Sequence, residues 1–211
     1  MLTFEEFYNE IQKTKSPVVI VGGIHGDEPA GNIAAKSFED KDGIVVFSDF
    51  NKTGKRRLHG VDPNRHFDED DSIPEEDSLL EDIIKLKPRL VISLHEDDST
   101  DEVYAYCSPG MKDKLQEVLV SLDVPLAKSA IGDKTDRGVI TDGKLPTKGT
   151  LERALRKRYI PSCTIETPSA ELSLEERVAI HKKVVLGILQ QMEFHDRAID
   201  MSDIEVKEET E

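Results

Sequence analysis

VVIVGGIHGDEPAG, residues Val18 to Gly31, holds a buried strand, a sharp turn and the opening of a helix. Val18 to Val21 is a short, β-branched apolar run, the signature of a strand covered on both faces. Gly22 and Gly23 let the backbone turn without a Cβ clash. Pro29 suits the first position of a helix, where its missing N–H costs nothing. Between turn and helix stand His25 and Glu28, three residues apart and able to point at one spot. An imidazole and a carboxylate converging there are two of the three protein ligands in a two-His, one-Glu zinc site. A bare tight turn, or a phosphate-binding loop at the helix start, is the alternative. A phosphate loop favours Lys or Ser at its tip over two ligand-type side chains.

Outward from this stretch, strand-like and helix-like segments alternate. Ile44 to Phe50, Arg89 to His95, Val103 to Cys107 and Ile160 to Glu166 read as strands, the last broken by Thr167-Pro168. Helical periodicity marks Leu2 to Lys13, Pro29 to Phe38, Leu79 to Leu86, Met111 to Leu122, Thr150 to Tyr159 and Leu172 to Phe194. Ser173 with Glu176 has the spacing of a capping box. Asp68 to Asp77 is acidic and Pro-interrupted, and is expected to be an exposed loop. The basic face of Thr150 to Tyr159 is expected to be solvated. Gly132 to Gly149 reads as a long loop. Such alternation predicts an α/β fold with a mostly parallel, mixed central sheet flanked by helices.

The chain has 211 residues, 37% of them hydrophobic, none of them Trp, and a net charge of −15. That length suits one catalytic domain, expected over residues 1–199, with an acidic, disordered tail over 200–211. The charge excludes a nucleic-acid partner, because phosphate backbones need Lys and Arg. No apolar run reaches membrane length, so no membrane partner is expected. The acidic, amphipathic start is unlike a signal peptide. Cys107 and Cys163 build no disulfide framework. A reducing cytoplasm is therefore the expected location.

In a parallel sheet, ligands bind beyond the carboxyl ends of the strands. His25 and Glu28 follow one strand, His95 closes a second and Glu166 closes a third. This brings a two-His, one-Glu metal set and a further carboxylate to one edge. Such a metal keeps a position open for water and lowers that water's pKa. Glu166 is the candidate to move the water's proton. The loop Asn51 to Arg65 is locally basic in an acidic chain, with Lys52, Lys55, Arg56, Arg57 and Arg65. Arg56 or Arg57 is placed to steady an oxyanion. Arg65 offers a planar fork for a carboxylate, with Asn64 beside it as a second donor.

The segments GGIHGDEPAG, GVDPNRHF, ISLHE and TIETP, in this order and rough spacing, resemble the zinc carboxypeptidase superfamily. That group includes metallocarboxypeptidases, murein peptide amidases and the succinylglutamate desuccinylase/aspartoacylase branch. The resemblance spans Val18 to Pro168. It implies one zinc per chain on His25, Glu28 and His95, with Glu166 as general base. It implies that Arg57 polarises the scissile carbonyl and that Asn64 and Arg65 bind a terminal carboxylate. The implied activity is hydrolysis of an amide bond next to a free carboxylate. The substrate would be a short peptide or, alternatively, an N-acyl amino acid; a metal-binding module without turnover is a further alternative. The chain departs from the family at Asp62-Pro63-Asn64-Arg65, where Pro63 replaces the usual Leu. Many carboxypeptidases carry a Tyr on a mobile loop before the catalytic Glu, and the loop Gly132 to Gly149 has none.

Overall fold

A computed structural model describes residues 16–130, 133–140 and 147–192. The expected helix Leu2 to Lys13 and the acidic tail lie outside these residues, as do parts of the loop between Gly132 and Gly149. Eight strands are described: β1 (Val18–Gly22), β2 (Ile44–Phe47), β3 (Leu90–Asp97), β4 (Tyr104–Cys107), β5 (Ser129–Ala130), β6 (Asp133–Lys134), β7 (Val139–Ile140) and β8 (Ser162–Pro168). Five α-helices accompany them: α1 (Pro29–Lys36), α2 (Pro74–Leu86), α3 (Lys112–Val120), α4 (Leu151–Arg156) and α5 (Leu174–Gln191).

The central sheet has the order β2-β1-β3-β8-β4-β7. β2, β1, β3 and β8 are parallel; β4 runs antiparallel to β8, and β7 follows β4. The expected mixed, mostly parallel sheet is what forms. β1 and β3 are apolar on both faces because helices cover both. Val18, Ile20, Leu90, Ile92, Cys163 and Ile165 pack against α1, α3 and α5. Val19, Val21 and Val91 pack against α2 and α4 through Leu79, Leu80, Ile83, Leu151 and Leu155. Strand alternation therefore assigns every second residue to a defined helical layer.

Four segments differ from the sequence expectation. The stretch Gly132 to Gly149, expected as a loop, holds β6 and β7, and β7 pairs with β4 at the edge of the central sheet. Pro74 does not interrupt a loop; it opens α2, which begins five residues before the expected Leu79. Pro is accepted at that first position. Glu76 turns back to accept the Ile73 N–H at 3.0 Å and is fully buried. β8 likewise runs on through Thr167 and Pro168, which pair with Glu96 and Asp97 of β3. Pro168 is tolerated because β4 begins opposite Glu166 and asks for no hydrogen bond beyond it. The basic end of α4 is not simply solvated. Lys157 and Arg158 both bind Asp68 of the acidic loop. α5 begins at Leu174, two residues after the expected Leu172, and has the expected Ser173–Glu176 capping box.

Candidate metal and catalytic site

β1, β3 and β8 end side by side, so the residues at and just beyond their ends share one edge. His25 lies in the turn after β1, and Glu28 precedes Pro29 at the start of α1. His95 and Glu166 are direct neighbours in register across β3 and β8. All three candidate metal ligands are buried: His25, Glu28 and His95 are 3%, 4% and 2% exposed.

Glu28 is the centre of the group. Its Oε1 lies 2.6 Å from His25 Nδ1, and its Oε2 lies 2.9 Å from His95 Nδ1. One ligand atom from each of the three residues falls within 4.8 Å of the others. The outer nitrogens are anchored as well. His25 Nε2 meets Asp62 Oδ1 at 3.0 Å, and His95 Nε2 meets Ser93 Oγ at 3.0 Å. Each imidazole thus has one nitrogen fixed from behind and the other turned to a common point, the arrangement that orients metal-bound histidines.

Burial alone would lower the pKa of His25, but its hydrogen bonds to Asp62 and Glu28 outweigh that and raise it to about 9. Burial also opposes charge on Glu28, yet the pull of His95 and both histidine contacts holds its carboxyl well below the usual range. Both shifts follow from imidazoles held against carboxylates. Two imidazoles and one carboxylate, with one ligand atom of each within 4.8 Å of the others, are a donor set that suits zinc. His25, Glu28 and His95 therefore fit the metal that the sequence implied.

Glu166 stands beside this group. Burial raises its pKa, His95 opposes that rise, and the charge of Glu28 adds to it. A nearby dipositive ion would favour its ionised form. On β4, Tyr104 is paired opposite Glu166, and its hydroxyl donates to Asp97 Oδ2 at 2.6 Å. Glu96, the residue after His95, turns to the opposite face of the sheet, where its Oε1 accepts the Ala30 N–H at 2.6 Å.

The basic loop is stitched to the β1–α1 turn. Gly26 N donates to Lys55 O at 3.0 Å, and Asn51 N to Gly23 O at 2.8 Å. Of its two adjacent arginines, Arg56 reaches the cluster, with Nη1 3.0 Å from Glu28 Oε1. Arg57 instead donates to Gly60 O at 2.9 Å. Arg65 is exposed and donates to the Asn64 carbonyl at 2.6 Å, while Asn64 Oδ1 accepts from Leu151 N at 2.9 Å. A cleft of about 340 Å³ opens beside His25 and Glu28, walled also by Asn32, Asp49, Asn51 and Lys52.

Asp62, Ser93 and Arg56 complete the group without having been assigned these contacts from sequence. Ser93 was accessible in principle, since it stands two residues before His95 and so shares its face. Asp62 and Arg56 reach the cluster through loop geometry that spacing does not encode.

No family model matches the sequence, and no curated protein matches it. Solved structures do. The chain superimposes with a TM-score of 0.70 on a candidate metallopeptidase from Shewanella amazonensis SB2B, 24% identical, covering 86% of this chain and 79% of that one. The fold is zinc carboxypeptidase-like. Murein-tripeptide amidase MpaA from Escherichia coli O157 gives a TM-score of 0.58 at 17% identity, covering 88% and 84% of the two chains. A succinylglutamate desuccinylase/aspartoacylase from Rhodobacter sphaeroides gives 0.56 at 19% identity, with 84% of this chain and 56% of that one covered. At such identities these likenesses establish the shared fold, and the site above rests on its own geometry.

Proposed function

We propose that the chain is a zinc-dependent hydrolase that cleaves an amide bond adjacent to a free carboxylate, acting as a carboxypeptidase on short peptides. The observation that carries this reading is the buried His25–Glu28–His95 group with Glu166 in register beside His95. When bound, zinc supplies a Lewis acid and a water of lowered pKa. His25 and His95 each offer Nδ1, with Asp62 and Ser93 fixing the rings. Glu166 takes the proton of the attacking water and hands it to the leaving nitrogen. Arg57, or Arg56 whose guanidinium already lies against Glu28, steadies the negative charge that develops on the scissile carbonyl. Arg65 and Asn64 hold the substrate's carboxylate at the mouth. The partner is thus a small molecule or short peptide carrying that carboxylate, and neither nucleic acid nor membrane. No described helix is long and apolar enough to cross a membrane. A cytoplasmic location is part of the proposal and is supported by the two free thiols, Cys107 and Cys163.

The test combines metal content with turnover. Wild type should carry one zinc per chain, and His95→Ala should lose it while keeping its circular dichroism. Full zinc in folded His95→Ala would defeat the ligand assignment. A panel of dipeptides and N-acyl amino acids then separates the readings. Cleavage of dipeptides supports the carboxypeptidase, and cleavage confined to N-acyl amino acids supports a deacylase of the succinylglutamate desuccinylase/aspartoacylase type. Bound zinc with no turnover of either class leaves a metal-binding module.

A further inference from the structure

Helix α1 begins with an unusual arrangement. Its N-cap residue is Glu28, whose side chain makes no capping hydrogen bond. Both of its carboxylate oxygens are committed to His25 and His95. Pro29 at the first helical position has no N–H. The first free donor of the helix is therefore Ala30 N, which a capping side chain would ordinarily satisfy. It is satisfied from another element. Glu96 Oε1, at the end of β3, accepts it at 2.6 Å in a buried setting.

Glu96 immediately follows His95, and strand alternation turns the two side chains to opposite faces. His95 faces the metal group; Glu96 faces α1 and α5. The same two segments are therefore joined twice. His95 meets Glu28 on the front, and Glu96 holds the residue two beyond Glu28 on the back. The back contact is close-packed as well. A Cβ placed on Gly31 would lie 2.5 Å from Leu94 O, so only glycine lets α1 sit this near β3. A buried carboxylate needs a partner. Glu96, 4% exposed, has one in Arg177 of α5, whose guanidinium contacts Glu96 Oε2. Arg177 is in turn held through Nε by Ser173 O at 3.3 Å.

We propose that Glu96, backed by Arg177, is a positioning residue that caps α1 in place of Glu28 and so frees and fixes the Glu28 carboxylate for metal binding. This rests on the zinc reading of His25, Glu28 and His95. Glu96 touches neither metal nor substrate and acts only by setting where Glu28 stands relative to His95. Outer partners that orient metal ligands typically contribute 10- to 100-fold in affinity.

The experiment measures zinc affinity of the full chain by chelator competition, alongside thermal stability of the metal-free protein. Glu96→Ala should weaken zinc binding roughly 10- to 100-fold. Glu96→Gln keeps an oxygen that can accept from Ala30 N, and should lose less than about 10-fold. Ile83→Val, a core change in the opposite layer, provides a destabilised control that should bind zinc like wild type. Folded Glu96→Ala with wild-type affinity would overturn the proposal, and so would Ile83→Val losing affinity in parallel with its stability. If Glu96→Ala does not fold, Glu96→Gln binding zinc as weakly as His95→Ala would overturn it equally, because its retained acceptor should keep most of the affinity. Wild type that binds no zinc would defeat the metal reading itself, an outcome separate from a variant that binds as wild type does.

Discussion

His95 and Glu166 occupy paired positions on adjacent parallel strands, yet their proposed roles differ in kind, one holding a cation and the other moving a proton. The difference can be measured in one substitution. Glu166→Gln preserves shape and hydrogen bonding but cannot accept a proton. It should keep its zinc and lose on the order of 10²-fold or more in kcat, the scale of general acid–base catalysis. Near-wild-type turnover with zinc in place would exclude Glu166 as the base. These two residues, with His25 and Glu28, were legible in the sequence because a parallel sheet sends strand ends to one edge. Their supporting partners were not. Asp62 is 37 residues from His25, and Arg56 and Arg57 are indistinguishable by spacing. The structure turns Arg56 to Glu28 and Arg57 to Gly60, a choice made by the path of an exposed loop.

At the scale of elements, the segment from Gly60 to Phe67 matters most for substrate binding. It has no regular structure of its own and is held by α4. Asn64 Oδ1 accepts from Leu151 N at 2.9 Å, and Phe67 N donates to Gly149 O at 2.9 Å. Asn64 therefore has a structural contact as well as its proposed carboxylate contact, whereas Arg65 is exposed, with its guanidinium on the neighbouring Asn64 carbonyl. Two variants should separate these roles. Arg65→Lys keeps the charge but loses the planar fork, and should lower kcat/KM for a substrate with a free carboxylate about 10-fold at unchanged Tm. Asn64→Ala should lower kcat/KM and also destabilise the fold by about 1 kcal/mol, through an unsatisfied helix N-terminus. Equal cleavage of free and amidated substrates by wild type would remove the carboxylate clamp. Element identity was legible wherever apolar periodicity was strong, as in β1, β3 and α5. It failed where proline was taken as a breaker. Pro74 and Pro168 each stand where no hydrogen bond from their nitrogen is wanted, and only the tertiary pairing reveals that.

Across the whole molecule, a chain of net charge −15 repels itself unless its acids are partnered. Asp68 shows how one such repulsion is relieved. It sits in the acidic loop before α2 and bridges to the end of α4, with Lys157 Nζ 2.9 Å from Oδ2 and Arg158 on Oδ1. The hydrogen bond from Arg158, followed by that from Lys157, holds its pKa at about 2 against an ordinary 3.8. A carboxyl depressed in the folded state stabilises it above the unfolded pKa, and that stability is lost as pH falls through the folded value. Wild type should therefore be more stable than Asp68→Asn at pH 6, with the difference fading between about pH 4 and pH 2. The side chains of Lys157 and Arg158 are 38% and 32% exposed, so solvent screening reduces the gap to on the order of 1 kcal/mol. Added salt should shrink it further. Urea unfolding of both proteins at several pH values gives the difference directly. A gap that persists unchanged at pH 2, or that is absent at pH 6, would show that Asp68 does not tie the acidic loop to α4.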